Sequence, residues 1–550
     1  MKVLLVVIDG LSFSVFERIK DKLPVMKDLI EKGFYSKLES VFPSLTPVAL
    51  ASLATGFNPK NNGVNSSKIY LKNSSLDKPL SAYNSKALKV NPIWVYLAKE
   101  GYNVLVASFP QALPDRWNME GLVLLDPYRS RIRKCSDGKV IRSGENKVLG
   151  KIWLVESRHN NGYYVSYSSP SGEKSIEISK GDWYGPIEIY GKCGKNELTG
   201  ISFLHAREDS IYLSPVSFYN KEWCNKPSIM ENVWNYVSLK YGMMLDGDYP
   251  SLSKGIITFE EYMKTIDLTF DFFKNYTKYL LDNIKWDLAI TYLPIVDNLQ
   301  HLLYGIDDDK AYEYILKGYL MADEFIKLQL DYAPLIFIVS DHGIEKIKKR
   351  VYVNKLLEKM NILKLRSEDE IDWSKTKAYY VGGGQIRINL RGRENRGIVS
   401  IKEFPKLVKR IVKNLENLKD ENEQIFTSIY ANEVPSSDRE GDITIMGVRR
   451  YYGISSMVKA NQEVLENVKP YVTATGEHGY FRENDLYGIV IIYSKNNNFK
   501  NILRINSLRI IDIAPTILSL FRINNVKFDG VPISKLIEIY EYSRNNIEKG

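Results

Sequence analysis

The sequence predicts an α/β fold in which a mostly parallel sheet is flanked by helices. Short apolar runs such as VLLVVI (residues 3–8) and PLIFIV (334–339) alternate with segments of helical periodicity. Continuous apolar runs are typical of strands that are buried on both faces, as in parallel sheets covered by helices. The alternation itself predicts the strand–helix–strand connections that such a sheet requires.

The size and charge of the chain exclude several classes. A chain of 550 residues is too long for one compact core, so we expect several domains or one domain with insertions. The hydrophobic share of 44% and charged share of 26% are typical of a soluble globular protein. The net charge of +9 is modest, and no basic stripe with interleaved aromatic residues predicts nucleic acid binding. The positive balance would help to attract an anionic substrate.

The cysteines and apolar runs predict a cytoplasmic protein. Cys135, Cys193 and Cys224 show no metal-type spacing and do not suggest a disulfide framework, which fits a reducing compartment. No apolar run approaches the length of a membrane span. The N-terminal run from Val3 to Ile8 is too short for a signal peptide and is better explained as a buried strand.

Changes in composition along the chain predict five segments. Residues 1–115 form the first part of the α/β core, with runs such as PIWVYLAKEG and YNVLVASFP. Residues 116–250, rich in Tyr, Ser, Gly and Lys, form a β-rich insertion that caps the substrate. Residues 251–375 return to the core with WDLAITYLP and PLIFIVSDHG. Residues 376–470 form a small α+β cap, and residues 471–550 complete the core with LYGIVIIYS.

A hydroxyl-rich segment, VFPSLTPVALASLATG (41–56), follows an early apolar run. Pro47 suits the first turn of a helix, which makes Thr46 the predicted N-cap. A hydroxyl at that position faces free backbone N–H groups and the positive end of the helix dipole, where an alkoxide or a phosphate is also favoured. Local sequence leaves two interpretations open, because Thr46 is either an ordinary cap or a nucleophile.

Acidic and histidine side chains follow several of the predicted strands, and they include three of the five histidines. These residues are Asp9, Asp297, His301, Asp341, His342 and His478. Asp9 follows the N-terminal apolar run. In DNLQH (297–301), the aspartate and the histidine are about one helical turn apart, and in GEHG (476–479) glycines flank the segment that holds His478. Open α/β sheets build their sites at the carboxyl ends of parallel strands, and carboxylate and imidazole groups suit Zn²⁺, Mn²⁺ or Fe.

Taken in order, these motifs resemble those of the alkaline phosphatase superfamily, and most closely its type I phosphodiesterase/nucleotide pyrophosphatase branch. The resemblance rests on Asp9, FPSLTPVALASLATG, DNLQH, SDHG and GEHG, with further similarity in PIWVYLAKEGYNV (92–104) and IDIAPTILSLF (511–521). It covers residues 1–115 and about 255 to the end, but not 116–250. It implies an alkaline-phosphatase-like core.

The resemblance also implies two divalent metal ions, with Zn²⁺ expected and Mn²⁺ as the alternative. One ion would be held by Asp297, His301 and His478, and the other by Asp9, Asp341, His342 and the Thr46 oxygen. Thr46 would attack phosphorus and form a phospho-threonine intermediate, which water would then hydrolyse. Asn65 is the catalytic residue expected to hold a phosphoryl oxygen, although the spacing of the family motif falls on Ser67.

The function expected from this resemblance is hydrolysis of phosphodiester or pyrophosphate bonds in small, nucleotide-type substrates. Two alternatives remain, a phosphomonoesterase or phosphomutase of the same superfamily and a non-catalytic binding protein on a retained fold. Sulfate ester hydrolysis is disfavoured because the Cys/Ser-x-Pro-x-Arg signature is absent. Tyr70, Tyr83 and Trp183 are weak candidates for stacking on a nucleobase, and the sequence does not predict the oligomeric state.

Overall fold

An eight-stranded sheet forms the centre of the computed structural model. The model describes residues 1–114, 116–132, 135–158, 161–480, 482–496, 499 and 507–547. From edge to edge, the strands are Ser507–Arg509, Phe34–Glu39, Tyr487–Ser494, Leu335–Val339, Val3–Ile8, Leu288–Leu293, Val104–Ala107 and Leu122–Leu125. Tyr487–Ser494 runs antiparallel to both of its neighbours, and the other pairs are parallel. The predicted α/β fold with a mostly parallel sheet is confirmed.

The middle of this sheet is buried, as the apolar runs predict. Every residue of Val3–Ile8 is buried, and the strand pairs in register with Leu288–Leu293 on one side and Leu335–Val339 on the other. Helices that contribute to the same core are Phe13–Ile19, Pro24–Lys32, Thr46–Thr55, Ile93–Lys99, Pro227–Val233, Phe259–Asn283, Ile295–Leu303, Asp309–Lys327, Ile513–Leu520 and Ser534–Ile547. Shorter helices are Pro59–Asn62, Leu239–Tyr241, Tyr249–Ser253 and Glu483–Leu486.

Two antiparallel sheets lie between the strands of the core in sequence. The first contains Gly144–Val148, Lys151–Arg158, Gly162–Ser169 and Gly172–Ser179. The second contains Lys139–Ile141, Trp183–Cys193, Asn196–Ala206, Ile211–Leu213 and Ser217–Phe218. Their buried faces share one apolar cluster that includes Trp153, Val165 and Ile189. Arg207 of this unit pairs with Glu261 at 2.6 Å, near the start of the long core helix Phe259–Asn283.

Two features of this region differ from the simplest expectations. Leu122–Leu125 is an edge strand of the central sheet, although it lies within the range 116–250 that we predicted as an insertion. Cys135 and Cys193 form a disulfide, so the expectation that the cysteines build no such bond is wrong, and Cys224 is a buried free thiol. Spacing could not show this pair because the fold brings the two thiols together across 58 residues. The disulfide does not support the predicted cytoplasmic location.

A further unit has its own apolar core. Its four-stranded sheet contains Ala378–Gly382, Gln385–Ile388, Ile443–Val448 and Phe426–Ala431, with the helix Phe404–Glu416 packed against the last strand. Glu345–Tyr352 pairs with Tyr451–Ser455, Leu465–Asn467 and Gly476–Glu477, and the helix Val353–Lys359 follows it. Two-residue strands are Lys68–Ile69 with Leu80–Ser81, and Lys419–Asp420 with Glu423–Gln424. Among the described residues, no helix combines the length and apolar character needed to cross a bilayer.

Candidate active site

The three middle strands of the central sheet deliver the acidic and histidine side chains to one edge. Asp9 follows Val3–Ile8, and Asp341 and His342 follow Leu335–Val339. The helix Ile295–Leu303, which carries Asp297 and His301, follows Leu288–Leu293. His478 precedes the antiparallel strand Tyr487–Ser494, which begins at the edge where its neighbours end. The structure therefore brings together all six residues that the sequence singled out.

Thr46 lies at this edge but does not cap its helix. The helix is Thr46–Thr55, and Leu45 is its N-cap, since the Leu45 carbonyl accepts the N–H groups of Val48 and Ala49. The prediction that Thr46 is the N-cap is therefore wrong by one position. The Thr46 hydroxyl lies 3.1 Å from Nε2 of His342, and only 7% of the residue is exposed. Because the hydroxyl is not used for capping, it is available to the site.

The three histidines share one hydrogen-bonding arrangement. Each places Nδ1 against a backbone carbonyl: His301 on Gly476 at 2.9 Å, His342 on Gly343 at 2.9 Å, and His478 on Ser44 at 2.6 Å. A carbonyl oxygen can only accept, so each Nδ1 must carry the proton. In the neutral ring, Nε2 then presents its lone pair to the site, which is how metal-binding histidines are commonly oriented.

One group of ligand atoms surrounds His342. Its Nε2 lies 3.4 Å from Oδ1 of Asp9 and 3.3 Å from Oδ2 of Asp341. The Thr46 hydroxyl closes the group at 3.1 Å from the same nitrogen. Oδ1 of Asp341 is held by the backbone N–H of Gly10 at 3.0 Å, which leaves Oδ2 directed at His342. This is the set that the resemblance assigns to one metal.

The second group surrounds Asp297. Its Oδ2 lies 3.2 Å from Nε2 of His301, and its Oδ1 lies 3.8 Å from Nε2 of His478. The two Nε2 atoms face each other at 3.2 Å. The rings of His342 and His478 stack with centroids 3.5 Å apart, so the two groups adjoin.

The donor set fits two divalent cations. Oδ1 of Asp9, Oδ1 of Asp297 and Oδ2 of Asp341 are buried and make no hydrogen bond within the described structure. A buried carboxylate oxygen without a partner is costly unless a cation satisfies it. The Nε2 atoms of His301 and His478, which face each other at 3.2 Å, likewise need positive charge between them, supplied either by a cation or by a proton on His301. Carboxylate oxygens and neutral imidazoles are also the ligands that Zn²⁺ prefers.

Burial and neighbouring charges shift the pKa values of the site residues in both directions, and burial followed by the charge of His342 lowers the pKa of His478. Burial, and then the neighbouring carboxylate of Asp297, raises the pKa of Asp9, and burial followed by Asp9 raises that of Asp341. Burial alone would lower the pKa of His342, but Asp341 and Asp9 raise it to about 10. Asp297 likewise raises the pKa of His301 to about 9 against the effect of burial. The site therefore holds an excess of negative charge.

One glycine allows the two groups to approach each other. Gly10 has a φ of +65°, which L side chains rarely adopt. A Cβ at this position would lie 2.7 Å from Oδ1 of Asp297. The residue after Asp9 therefore has to be glycine for the Asp297 carboxylate to occupy its place.

A cavity of about 410 Å³ opens beside Thr46. Aromatic rings and polar groups form much of its wall, including Tyr83, Phe109, Tyr128, Tyr292, Asp126, Asp246 and Asn298. The Tyr292 hydroxyl donates a hydrogen bond to Asp9, so the wall is joined directly to the ligand set. Asp246 pairs with Arg131 at 2.7 Å. Three of these residues come from the range 116–250, but from outside the two antiparallel sheets.

The other proposed aromatic candidates lie elsewhere. Tyr83 lines the cavity, whereas Tyr70 is buried beneath Arg387, whose guanidinium lies 5.1 Å from the ring. Trp183 stacks on His205 with ring centroids 4.8 Å apart. Tyr292 could have been predicted as a site residue from the sequence. It is a polar aromatic residue near the carboxyl end of the apolar run LAITYL, and open α/β sheets build their sites at such strand ends.

The expected role of Asn65 stays a prediction. The side-chain oxygen of Asn65 is buried without a hydrogen-bond partner within the described structure, and its backbone carbonyl accepts from Gln385 at 2.8 Å. Neither Asn65 nor Ser67 is among the described residues that line the cavity. Ser67 lies against Gly382 of the neighbouring four-stranded sheet.

Comparison with known proteins agrees with this geometry. A family model described as type I phosphodiesterase / nucleotide pyrophosphatase matches residues 3–481. No curated protein matches the sequence. Human ectonucleotide pyrophosphatase/phosphodiesterase 5 is similar in structure, with a TM-score of 0.50 and 12% identity over 98% of this chain and 99% of its own.

The murine protein of the same name gives a TM-score of 0.50 and 12% identity over 98% of this chain and 100% of its own. An inactive threonine-to-alanine variant of that murine protein, in complex with AMP, matches with the same score and identity over 98% of this chain and 99% of its own. At this level of identity, the likeness shows the fold.

Proposed function

We propose, since the chain belongs to the type I phosphodiesterase/nucleotide pyrophosphatase family and is a phosphodiesterase-type hydrolase, that it cleaves nucleotide-type phosphodiester or pyrophosphate bonds with Thr46 as nucleophile and two divalent metal ions as cofactors. The observation that carries this proposal is the position of the Thr46 hydroxyl, 3.1 Å from His342 within a set of buried carboxylates and imidazoles. The murine relative that was inactivated by a threonine-to-alanine change and bound to AMP supports both the nucleophile and the substrate class.

Two groups of residues would hold the metals. They are Asp9, Thr46, Asp341 and His342 for one ion, and Asp297, His301 and His478 for the other. Divalent cations bound there would lower the pKa of the nucleophile and stabilise the charge that develops on the leaving oxygen. We expect Zn²⁺ because the set mixes imidazole with carboxylate, and Mn²⁺ is the alternative.

The chain's own residues then divide the reaction into two steps. Oγ1 of Thr46 attacks phosphorus, the bond from phosphorus to the leaving oxygen breaks, and a phosphoester of Thr46 forms. Water then attacks this phosphoester and releases the threonine hydroxyl. Because Thr46 is the first residue of its helix, the phosphoryl group lies at the positive end of the helix dipole, which favours its negative charge.

The cavity supports a nucleotide-type substrate. Its volume of about 410 Å³ falls in the range of small-molecule sites. The rings of Tyr83, Phe109 and Tyr128 offer surfaces on which a nucleobase can stack. Asn298 and Asp246 add polar groups that can pair with the edge of a base or with ribose hydroxyls.

The same wall favours diesters over monoesters. Among the described residues that line the cavity, none is a lysine or an arginine. A phosphomonoester carries a second negative charge that basic side chains usually bind, whereas a diester carries one. This observation disfavours the phosphomonoesterase and phosphomutase alternatives. The placement of the Thr46 hydroxyl within the ligand set disfavours a non-catalytic binding protein.

The test compares bis-p-nitrophenyl phosphate with p-nitrophenyl phosphate before and after chelation. We expect the diester to be cleaved faster, activity to vanish when the metal is removed, and Zn²⁺ or Mn²⁺ to restore it. Full activity in protein verified as metal-free would overturn the two-metal proposal, and a preference for the monoester would overturn the assignment as a diesterase.

The nucleotide preference has its own test. The p-nitrophenyl ester of thymidine 5′-monophosphate carries the same leaving group as bis-p-nitrophenyl phosphate but adds a nucleoside. We expect Tyr83→Leu to raise KM for the nucleoside ester by at least about fivefold and to leave KM for bis-p-nitrophenyl phosphate almost unaffected, because stacking contributes about 1–3 kcal/mol per base. Equal changes for both esters would show that the cavity does not bind the base.

A further inference from the structure

Ser44 connects the nucleophile segment to a metal-ligand segment. It lies two residues before Thr46 and is 0% exposed. Its carbonyl accepts Nδ1–H of His478 at 2.6 Å, and its hydroxyl accepts the backbone N–H of Gly479 at 3.1 Å. Both oxygens of one residue therefore hold the segment that carries His478.

Asp485 extends this connection to a third segment. The Ser44 hydroxyl donates to Oδ1 of Asp485 at 3.4 Å, and the backbone N–H of Tyr480 donates to Oδ2 at 3.1 Å. The backbone carbonyl of Asp485 accepts the N–H of Gly343, the residue after His342, at 3.0 Å. Asp485 is 0% exposed and its carboxylate also lies 3.5 Å from Nε of Arg482.

We infer that Ser44 and Asp485 are a pair of positioning residues that fix the Thr46 hydroxyl and the ligand His478 relative to each other. The inference rests on the proposed function. Neither residue is among the described residues that line the cavity, so the pair acts through the segments it holds and does not touch the substrate. The Ser44 hydroxyl is the central group of the pair, because it accepts a hydrogen bond from the Gly479 N–H and donates one to Asp485.

The geometry sets the expected size of the effect. Removing the Ser44 hydroxyl leaves the Gly479 N–H and Oδ1 of Asp485 without that partner, while the carbonyl that holds His478 remains. Loss of a hydrogen bond to a metal ligand commonly reduces metal affinity or activity by about 10–100-fold, and because the bond lost here lies one residue from the ligand we take the lower value, about 10-fold. We expect a loss of this size in zinc affinity and in kcat, with KM changed by less than about threefold.

The experiment measures zinc affinity by competition with a chromophoric chelator, kcat and KM with bis-p-nitrophenyl phosphate, and unfolding in urea. The variants are Ser44→Ala, Ser44→Thr and Asp485→Asn, and Ser52→Ala is the matched control. Ser52 is also fully buried. Its hydroxyl accepts a hydrogen bond from the Asn62 side chain at 3.0 Å, and neither residue belongs to the ligand set.

We expect Ser44→Ala to lose zinc affinity and kcat together and Ser44→Thr, which retains the hydroxyl, to recover most of both. Ser52→Ala should keep both values within about twofold, even if it unfolds at a similarly reduced urea concentration. If Ser44→Ala does not fold, the nearly isosteric Asp485→Asn provides the same test, since an amide has only one acceptor oxygen and cannot accept from both the Ser44 hydroxyl and the Tyr480 N–H.

Two results separate the inference from the proposed function. A wild-type protein that binds no zinc and cleaves no diester overturns the proposed function. A wild-type protein that does both, combined with Ser44→Ala and Asp485→Asn variants of unchanged zinc affinity and kcat, overturns the positioning role alone.

Discussion

Replacing Thr46 separates its chemical role from its structural role. Thr46→Val keeps the volume of the side chain and removes only the hydroxyl, while Thr46→Ser keeps the hydroxyl and removes a methyl group. Because Leu45 is the N-cap, neither change removes a cap. The valine variant loses the contact of the hydroxyl with His342 at 3.1 Å, which corresponds to about 1 kcal/mol of stability.

The expected effect on catalysis is much larger. Without the hydroxyl no phosphoester of the protein can form, so kcat should fall by about 10³-fold or more. A loss of 10³-fold corresponds to about 4 kcal/mol of barrier, roughly four times the expected loss of stability. Thr46→Ser should retain much of the activity, because the nucleophilic oxygen remains.

The assay pairs initial rates on bis-p-nitrophenyl phosphate with urea unfolding of the same preparations. Mass spectrometry after an acid quench with substrate should find a phosphoryl adduct on the peptide that contains Thr46 in the wild type and none in Thr46→Val. A Thr46→Val protein that turns over at the wild-type rate, with or without reduced stability, would refute the nucleophile assignment.

Two further predictions concern stability. Burial alone would raise the pKa of Glu261. Hydrogen bonds from His205, the Thr258 N–H and Arg207 outweigh this effect and lower the pKa from 4.5 to about 2. Its stabilising effect is therefore complete above about pH 4.5 and lost as pH falls towards 2, so Glu261→Gln should flatten urea midpoints measured across that interval. Gly10→Ala should lower the free energy of unfolding more than Gly101→Ala. Both positions have a positive φ (+65° and +81°), so both variants carry a backbone strain of about 1–2 kcal/mol. Only at Gly10 would the added Cβ also meet Asp297, at 2.7 Å. Equal urea midpoints for these two variants would contradict the close approach at Gly10.

The part of the site that follows from strand ends could be predicted from sequence. Asp9 and Asp341 each come directly after or close behind an apolar run, and parallel strands bring such residues to one edge. The spacing of Asp297 and His301 needs only a helix, and the helix Ile295–Leu303 supplies it. These inferences use local patterns and one rule about sheets, so they did not require knowledge of distant contacts.

The rest depends on contacts between residues that are far apart in sequence. Ser44 and Asp485 are separated by 441 positions, and neither stands out within its own segment. Cys135 and Cys193 meet only because a strand of the second antiparallel sheet ends at Cys193. The N-cap prediction failed for a local reason, since the helix already begins at Thr46 and leaves capping to Leu45.

The charges of the site support the proposal that it binds cations. Each histidine is oriented by a carbonyl so that, when neutral, its Nε2 lone pair points inward, and the nitrogens of His301 and His478 face each other at 3.2 Å. In the metal-free chain, Asp297 raises the pKa of His301 to about 9, and Asp341 and Asp9 raise that of His342 to about 10, both against the effect of burial, so protons on these rings supply positive charge. A divalent cation would have to displace these protons, so we expect metal binding to release protons and to tighten as pH rises. The local excess of negative charge, which is unfavourable in the bare chain, is therefore the property that would give the site the proposed affinity for divalent cations, and a cation bound there would place positive charge beside Thr46.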